Sequence, residues 1–368
     1  MKKNTNTAVS PKRGGSTQFK DVAAIGIDLG DRTSRYCMIG ERGEIVAEGS
    51  VATTSKGIAQ TFGPMRKCRI GLEVGTHSPW VSRLLTSLGH EAIVANAREL
   101  KAITASSRKS DPMDARMLAR LVRADPELLR PIRHRGEQAQ AHLMQIRVRA
   151  ALVEARTSLI NAARGLVKAV GERLPDCDAD QMGTTKAAEL PGWLRSQIGP
   201  LLEQVEQLSE QINRSDRDIE QIARKEYPET ELLEQVWGVG ALIAVTFVLT
   251  VEEPHRFSRS RDVGCYVGLR PRQGQSGERN PQLGITKEGD IYLRKLLVQG
   301  AHRILYQRAP DTDLKRWGLK LSERGGSNAK KRAIVAVARK LAILLHRLWV
   351  TGEVYEPLRN SAVMQAAA

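Results

Sequence analysis

The hydrophobic period of this chain changes once, and the change limits what it can fold into. Residues 22–95 carry strand signals: "VAAIGIDLG" is an apolar run, "SRYCMIG" alternates, and "GEIVAEGSVAT" follows the turn signal "GERG". An amphipathic stretch near 56–67, the strand "RIGLEVG", a helix from about Pro79 to Leu88 and the short strand "EAIVAN" come next. Three strands in succession, then strand–helix alternation, predict a mixed sheet with helices packed on it. From about residue 137 the pattern is purely helical. Leu152, Leu159 and Leu166 recur every seven residues, with Ala155, Ala162 and Ala169 between them. A second helix, from about Pro200 to Arg224, places Leu201, Val205, Leu208, Ile212, Ser215, Ile219 and Ile222 on a heptad seam with one polar interruption. An intramolecular hairpin and an intermolecular coiled coil both satisfy this pattern; a dimerising or spacer element is expected. Further helices are predicted from about Gly289 to Tyr306 and Ala329 to Val350, with "RGGSN" as a loop between them.

The expected division is a basic tail over 1–20, an α/β domain over 21–135, a helical hairpin or coiled coil over 136–228, a mostly α C-terminal domain over 229–350, and a tail over 351–368. The uncharged run 235–251, "QVWGVGALIAVTFVLTV", is shorter than the ~20 apolar residues of a membrane span and reads as a buried helix. Cys37, Cys68, Cys177 and Cys265 lie far apart with no CxxC pair, which fits a reducing compartment rather than a zinc site. A cytoplasmic, nucleoid-associated protein with no membrane partner is expected.

The net charge is +16, and it is sorted along the chain. Residues 98–173 hold 16 basic and 8 acidic side chains, and residues 256–347 hold 21 and 7. Two such regions suit a polyanionic partner, most directly nucleic acid, although a solubility surface would show the same excess.

Against that background four acids stand out. Asp28 ends the apolar strand "AAIGIDLG", on the same face as Gly26 and Gly30, so glycines leave space beside it. Glu73 sits inside "RIGLEVG". An acid in an apolar strand is costly unless it is paired or binds a cation. Asp111 and Asp114, in "RKSDPMDARMLARLV", stand three apart at the mouth of a helix. Locally they read as helix caps, with Pro112 at the first helical position. They also project from one face and can supply two ligands together. Carboxylates suit Mg²⁺ or Mn²⁺, and two such ions ~3.5–4 Å apart can clamp a phosphodiester.

A second centre lies in "RPRQGQSGERN", where Ser276 precedes a glycine among Arg270, Arg272 and Arg279. A serine hydroxyl needs a base or oxyanion stabilisation to act as nucleophile, and arginines can hold a phosphate nearby. A flexible basic loop gripping a DNA backbone fits these residues equally well. Ser258 and Ser260 are alternative hydroxyls, and Tyr292 reads as core. Lys287 and Arg294 extend the basic set. "VWGVGALIA" reads as a glycine turn opening a helix, either a tight turn into the core or a presenter of N–H groups to phosphate. Trp237, Trp317 and Trp349 could stack on bases or pack inside.

The stretches "IGIDLGDRTSRYCMIGERGEIVAE", "GLEVGTHSPWVSRLL" and "KSDPMDARMLARLV" resemble the N-terminal DEDD domain of the insertion-sequence-110 family of transposases. The likeness continues through "VWGVGALIAVTFVLTV" and "CYVGLRPRQGQSGERNPQLGITKEGDIYLRKLLVQGA", and so spans about 22–350. It implies a RuvC-like, ribonuclease-H fold in which Asp28, Glu73, Asp111 and Asp114 are catalytic and bind Mg²⁺ (or Mn²⁺). It further implies that Ser276 attacks DNA to form a phosphoserine link, that a structured guide RNA selects donor and target DNA, and that a homo-oligomer, a dimer or a tetramer on DNA, completes the active sites. A Holliday-junction-resolvase-like nuclease without a covalent step and a non-enzymatic nucleic-acid-binding scaffold are the alternatives. "IGIDLGDRTS" also looks like the first phosphate loop of actin-like ATPases, but the second loop and adenosine motif they require do not follow.

Overall fold

The computed structural model describes residues 22–96, 111–274, 283–326 and 328–359. They fall into two compact units, 1–135 and 136–368. The first holds strands β1 (Val22–Asp28), β2 (Thr33–Gly40), β3 (Ile45–Ala52), β4 (Arg69–Glu73) and β5 (Glu91–Ala95) in one sheet of order β3-β2-β1-β4-β5. β1 pairs antiparallel with β2 and parallel with β4; β2–β3 is antiparallel and β4–β5 parallel. The sequence expectation of a mixed sheet with helices on it therefore holds.

Strand alternation sorts the two faces. Ile25, Ile27, Ile70 and Leu72 pack with Ile58 and Phe62 of α1 (Ser55–Phe62) and Val81 and Leu85 of α2 (Ser78–Ser87). The other face carries Ala24, Gly26 and Gly71, and Ala115, Leu118, Ala119 and Val122 of α3 (Asp111–Ala124) close over it. A β-carbon on Gly26 would stand 2.1 Å from the Ala115 carbonyl oxygen, so only glycine lets α3 approach this closely.

In the second unit, α4 (Glu137–Ala169) and α5 (Gly192–Glu226) form an antiparallel hairpin within the chain. Ala139, Leu143 and Ile146 meet Ile219 and Ala223 at one end, and Ile160, Ala163 and Val167 meet Leu194, Ile198, Leu202 and Val205 at the other. The middle is polar: Arg149 binds Asp216 at 2.8 and 3.0 Å, and Arg156 donates to Ser209 at 3.0 Å. This corrects the expected stripe on α4. Leu152 and Leu159 are half-buried, Leu166 and the three alanines are exposed, and the buried stripe is Ile160, Ala163 and Val167. On α5, Val205, Ile212 and Ile219 are buried as the heptad predicts, but the polar layer sits at Ser209 and Asp216 rather than Ser215.

Around Phe247, Leu297, Leu341 and Leu345 pack α6 (Glu229–Glu234), α7 (Ala241–Val251), α8 (Arg261–Tyr266), α9 (Ile291–Ile304), α10 (Asp313–Ser322) and α11 (Ala329–Thr351). The uncharged run becomes the buried helix α7, whose Val245 and Leu249 pack onto the base of the hairpin. Among the described residues no helix is long and apolar enough to cross a membrane.

Candidate active site

Parallel register places the first two acids. β1 and β4 pair Gly26 with Gly71 and Ile27 with Leu72, so Asp28 and Glu73 occupy the next rung, at the C-terminal ends of neighbouring strands. Each is two residues beyond a glycine that lies under α3, so both belong to the α3 face. Both are half-buried and line one cleft of about 360 Å³. C-terminal strand ends are where open α/β sheets bind ligands.

The direction of α3 places the third. Arg123, in its last turn, donates to the Glu41 carbonyl oxygen in the β2–β3 turn, beside the Val22 end of β1. Ala115 and Ala119 lie over Gly26. The helix therefore runs antiparallel to β1, and its first turn, with Asp111 and Asp114, is carried toward the Asp28 end. Asp114 is half-buried and precedes Leu118 of the sheet-facing stripe by four residues. It does not line the Asp28–Glu73 cleft, and the side chain of Asp111 lies outside the described residues.

The cleft holds groups that the sequence reading passed over. Asp31 and His77 line it too, with His77 Nε2 3.7 Å from Asp31. Trp80 Nε1 donates to His77 Nδ1 at 3.1 Å, which leaves the ring proton on Nε2, toward Asp31. His77 lies in a loop before α2, where no periodicity marks it. Behind the rim, Ser78 Oγ donates to the Gly75 carbonyl oxygen at 2.8 Å and lies 2.9 Å from His134 Nε2. His134 is held below its ordinary pKa by burial and by the nearby Arg83 and Arg135. Two strand-end carboxylates are the hard oxygen donors that suit Mg²⁺ or Mn²⁺. Among the described residues, no three His, Cys, Asp or Glu side chains form a group able to hold a metal, so the cleft as described supplies part of a ligand set.

In the second unit, a short ladder joins the two segments that flank residues 275–282. Arg272 N donates to Gly284 O at 2.9 Å, Thr286 N to Arg270 O at 2.8 Å and Lys287 N to Gly268 O at 3.0 Å. Arg270, Arg272 and Lys287 are exposed beside this ladder. Ser276 and Arg279 lie outside the described residues. Arg294, expected at the nucleic-acid surface, is 9% exposed, and its Nη1 donates to Val267 O at 3.0 Å and Glu288 O at 2.8 Å. Here it ties Val267 to Glu288 beneath the ladder.

The alternative hydroxyls part company. Ser258 is exposed, whereas Ser260 lies 3.0 Å from Nδ1 of buried His346, whose Nε2 donates to Pro254 O at 2.9 Å. That second bond fixes the tautomer, so the Ser260 hydroxyl donates to Nδ1 and ties its loop to α11. Tyr292 packs under Arg147 at 5.0 Å, in agreement with a core role. Of the tryptophans, Trp317 is covered by Lys340 at 3.9 Å and Trp349 meets Phe247 edge-on, while Trp237 is 47% exposed.

A basic chain with strand-end carboxylates on a mixed sheet suits an enzyme that processes phosphodiesters, and comparison with known proteins gives the class: it is a DNA transposase. The model of DEDD transposases of the IS110 group, described as Transposase, matches residues 25–171, and that of the Transposase IS116/IS110/IS902 family matches residues 230–316. The transposase for insertion sequence element IS1111A of Coxiella burnetii is 28% identical, over 92% of this chain and 92% of that protein. A probable family 20 transposase of Pseudomonas aeruginosa is 26% identical over 92% and 99%, and the transposase for insertion sequence element IS1328 of Yersinia enterocolitica 27% identical over 78% and 85%. The chain belongs to the IS110 family of transposases.

Proposed function

We propose that this transposase recombines DNA through two cooperating centres. The N-terminal unit is RuvC-like, and Asp28, Glu73, Asp111 and Asp114 hold Mg²⁺ or Mn²⁺. The bound ion would neutralise charge on the scissile phosphate. Ser276 Oγ attacks phosphorus and loses its proton; an oxygen–phosphorus bond forms to the serine as the bond to one sugar oxygen breaks, and that oxygen leaves protonated. The phosphoserine keeps the phosphodiester's energy, so attack by a sugar hydroxyl of a second strand reverses the step and rejoins DNA. Arg270, Arg272, Arg279 and Lys287 hold the strand on either side of the attacked phosphate. Arg294 braces the ladder that carries Arg270, Arg272 and Lys287.

The observation that carries this reading is the shared cleft of Asp28 and Glu73 on adjacent rungs. The family match supports DNA as substrate, and a structured guide RNA and a homo-oligomeric active form are further parts of the proposal, implied by the resemblance. Incubation with element-end DNA and Mg²⁺, followed by denaturation, should leave protein covalently on DNA. The adduct should vanish in Ser276→Ala and persist in Ser258→Ala. Strand exchange surviving in Ser276→Ala would remove the serine from the mechanism, and sequencing copurified RNA tests the guide.

A further inference from the structure

Trp237 is an exposed tryptophan that no core absorbs, and its surroundings show what it meets. The turn Val236–Gly240 lies directly on α9. Gly238 has φ +88°, and a β-carbon there would stand 2.9 Å from Gly300 O and 3.2 Å from Arg303 Cβ. Gly300 is equally tight, at 3.1 Å from Gly238 O. This glycine-to-glycine approach fixes Trp237 beside the C-terminal end of α9. That end presents Gln299, His302 and Arg303, and Tyr306 follows in the turn just beyond it, where its N–H donates to Arg303 O at 3.3 Å.

Trp237, Tyr306, His302, Arg303 and Arg308 line a single open groove of about 1400 Å³. Trp237 is 47% and Tyr306 58% exposed, and the other three are exposed. Among the described residues, no ion pair engages Arg303 or Arg308. Two carboxylates share the groove, Glu234 and Asp311, and Asp311 is taken up by Arg316 at 2.6 Å. Exposed aromatic faces interleaved with unengaged guanidinium groups match a polymer that alternates flat rings with negative charges.

We infer that this groove binds single-stranded nucleic acid, with unpaired bases stacking on Trp237 and Tyr306 and phosphates held by Arg303 and Arg308. The inference rests on the reading that the chain acts on nucleic acid, but needs neither the acids nor Ser276. It assigns a function to the "VWGVG" turn: the glycines bring an aromatic platform to a basic helix face. A duplex fits less well, because its bases are already stacked on one another.

The test uses the full chain and fluorescently labelled 12-residue oligomers of deoxythymidine, of uridine and of abasic deoxyribose phosphate. Trp237→Ala and Tyr306→Ala should each weaken binding of the base-bearing oligomers roughly 5- to 100-fold, and leave the abasic oligomer's affinity unchanged. Trp237→Phe should retain most of the affinity. Arg303→Ala and Arg308→Ala should weaken all three oligomers, and each should reduce the salt dependence by about 0.7 in the log–log slope. Preference for uridine over deoxythymidine would identify RNA as the occupant, and the reverse DNA. A 5-bromouracil oligomer should crosslink on irradiation to the peptide that bears Trp237 or Tyr306. Equal loss for abasic and base-bearing oligomers, unchanged affinity in both aromatic variants, or crosslinks confined elsewhere would overturn the assignment. Binding is read without divalent metal and without cleavage, so failure of the catalytic reading and failure of this one give different results.

Discussion

Asp28 and Glu73 end neighbouring parallel strands one rung beyond Ile27 and Leu72, and both open into the same cleft. Two half-buried carboxylates in one cleft can act through the charge they offer a cation and through the shape they give the cleft.

Neutral isosteres should separate these effects. Asp28→Asn and Glu73→Gln should each lower strand cleavage at least about 10²-fold, the scale of losing one preorganised electrostatic contact. Thermal stability without metal should change far less than cleavage, because each isostere keeps the shape of the side chain it replaces. Mg²⁺ should raise the melting temperature of the native chain and do so less in either variant. Cleavage at the native rate by Asp28→Asn would remove this residue from the site.

Gly26 tests the delivery of α3 to that cleft. In Gly26→Ala the new β-carbon would begin 2.1 Å from Ala115 O and 2.3 Å from Ala119 N, both backbone atoms. Overpacking of this kind costs about 1–3 kcal/mol or more. Denaturant unfolding should show that loss, and cleavage should fall with it because Asp111 and Asp114 ride on the displaced helix. Full stability in Gly26→Ala would mean that α3 does not sit this close.

Legibility followed the range of the forces involved. Strand alternation and the glycines beside Asp28 are local, so the sheet and its acid-bearing edge could be read directly. The α4 stripe was misplaced because Leu152, Leu159 and Leu166 form as regular a heptad as Ile160, Ala163 and Val167; only the partner helix selects between them. Arg294 read as a surface cation because composition counts charge without knowing that Val267 and Glu288 carbonyls would enclose it. His77 and its tautomer depend on Trp80 and Asp31, and no spacing rule announces that trio.

The rim of the cleft should be sensitive to mild acid. His134 lies 2.9 Å from Ser78 Oγ, which also bonds Gly75 behind Glu73. Its folded pKa is lowered from 6.5 by burial and by Arg83 and Arg135. The unfolded chain therefore takes up the proton first as pH falls. This group is neutral in both states above about pH 6.5 and has no effect there; below it the folded state loses stability until the lower folded pKa is passed. His134→Gln should flatten the decline in melting temperature between about pH 6.5 and pH 5. An unchanged slope would assign the decline to other groups.

The polar layer of the α4–α5 hairpin should prove costly to break and cheap to replace. Arg149 holds Asp216 through two hydrogen bonds, with their side chains 19% and 42% exposed. Asp216→Leu takes the carboxylate from a half-buried guanidinium, leaves it beside the Tyr292 hydroxyl, and should destabilise by roughly 1–3 kcal/mol. Arg149→Leu with Asp216→Leu removes both partners and joins the apolar ends of the hairpin, so the double variant should recover most of that loss. Denaturant unfolding of the four combinations measures the coupling directly. If the layer mainly fixes which face of α4 meets α5, the double variant should also let Leu152 and Leu159 compete for the seam. Hydrogen exchange at the middle of the hairpin should then quicken although global stability is retained. Protection equal to that of the native chain would show that Ile160, Ala163 and Val167 set the register alone.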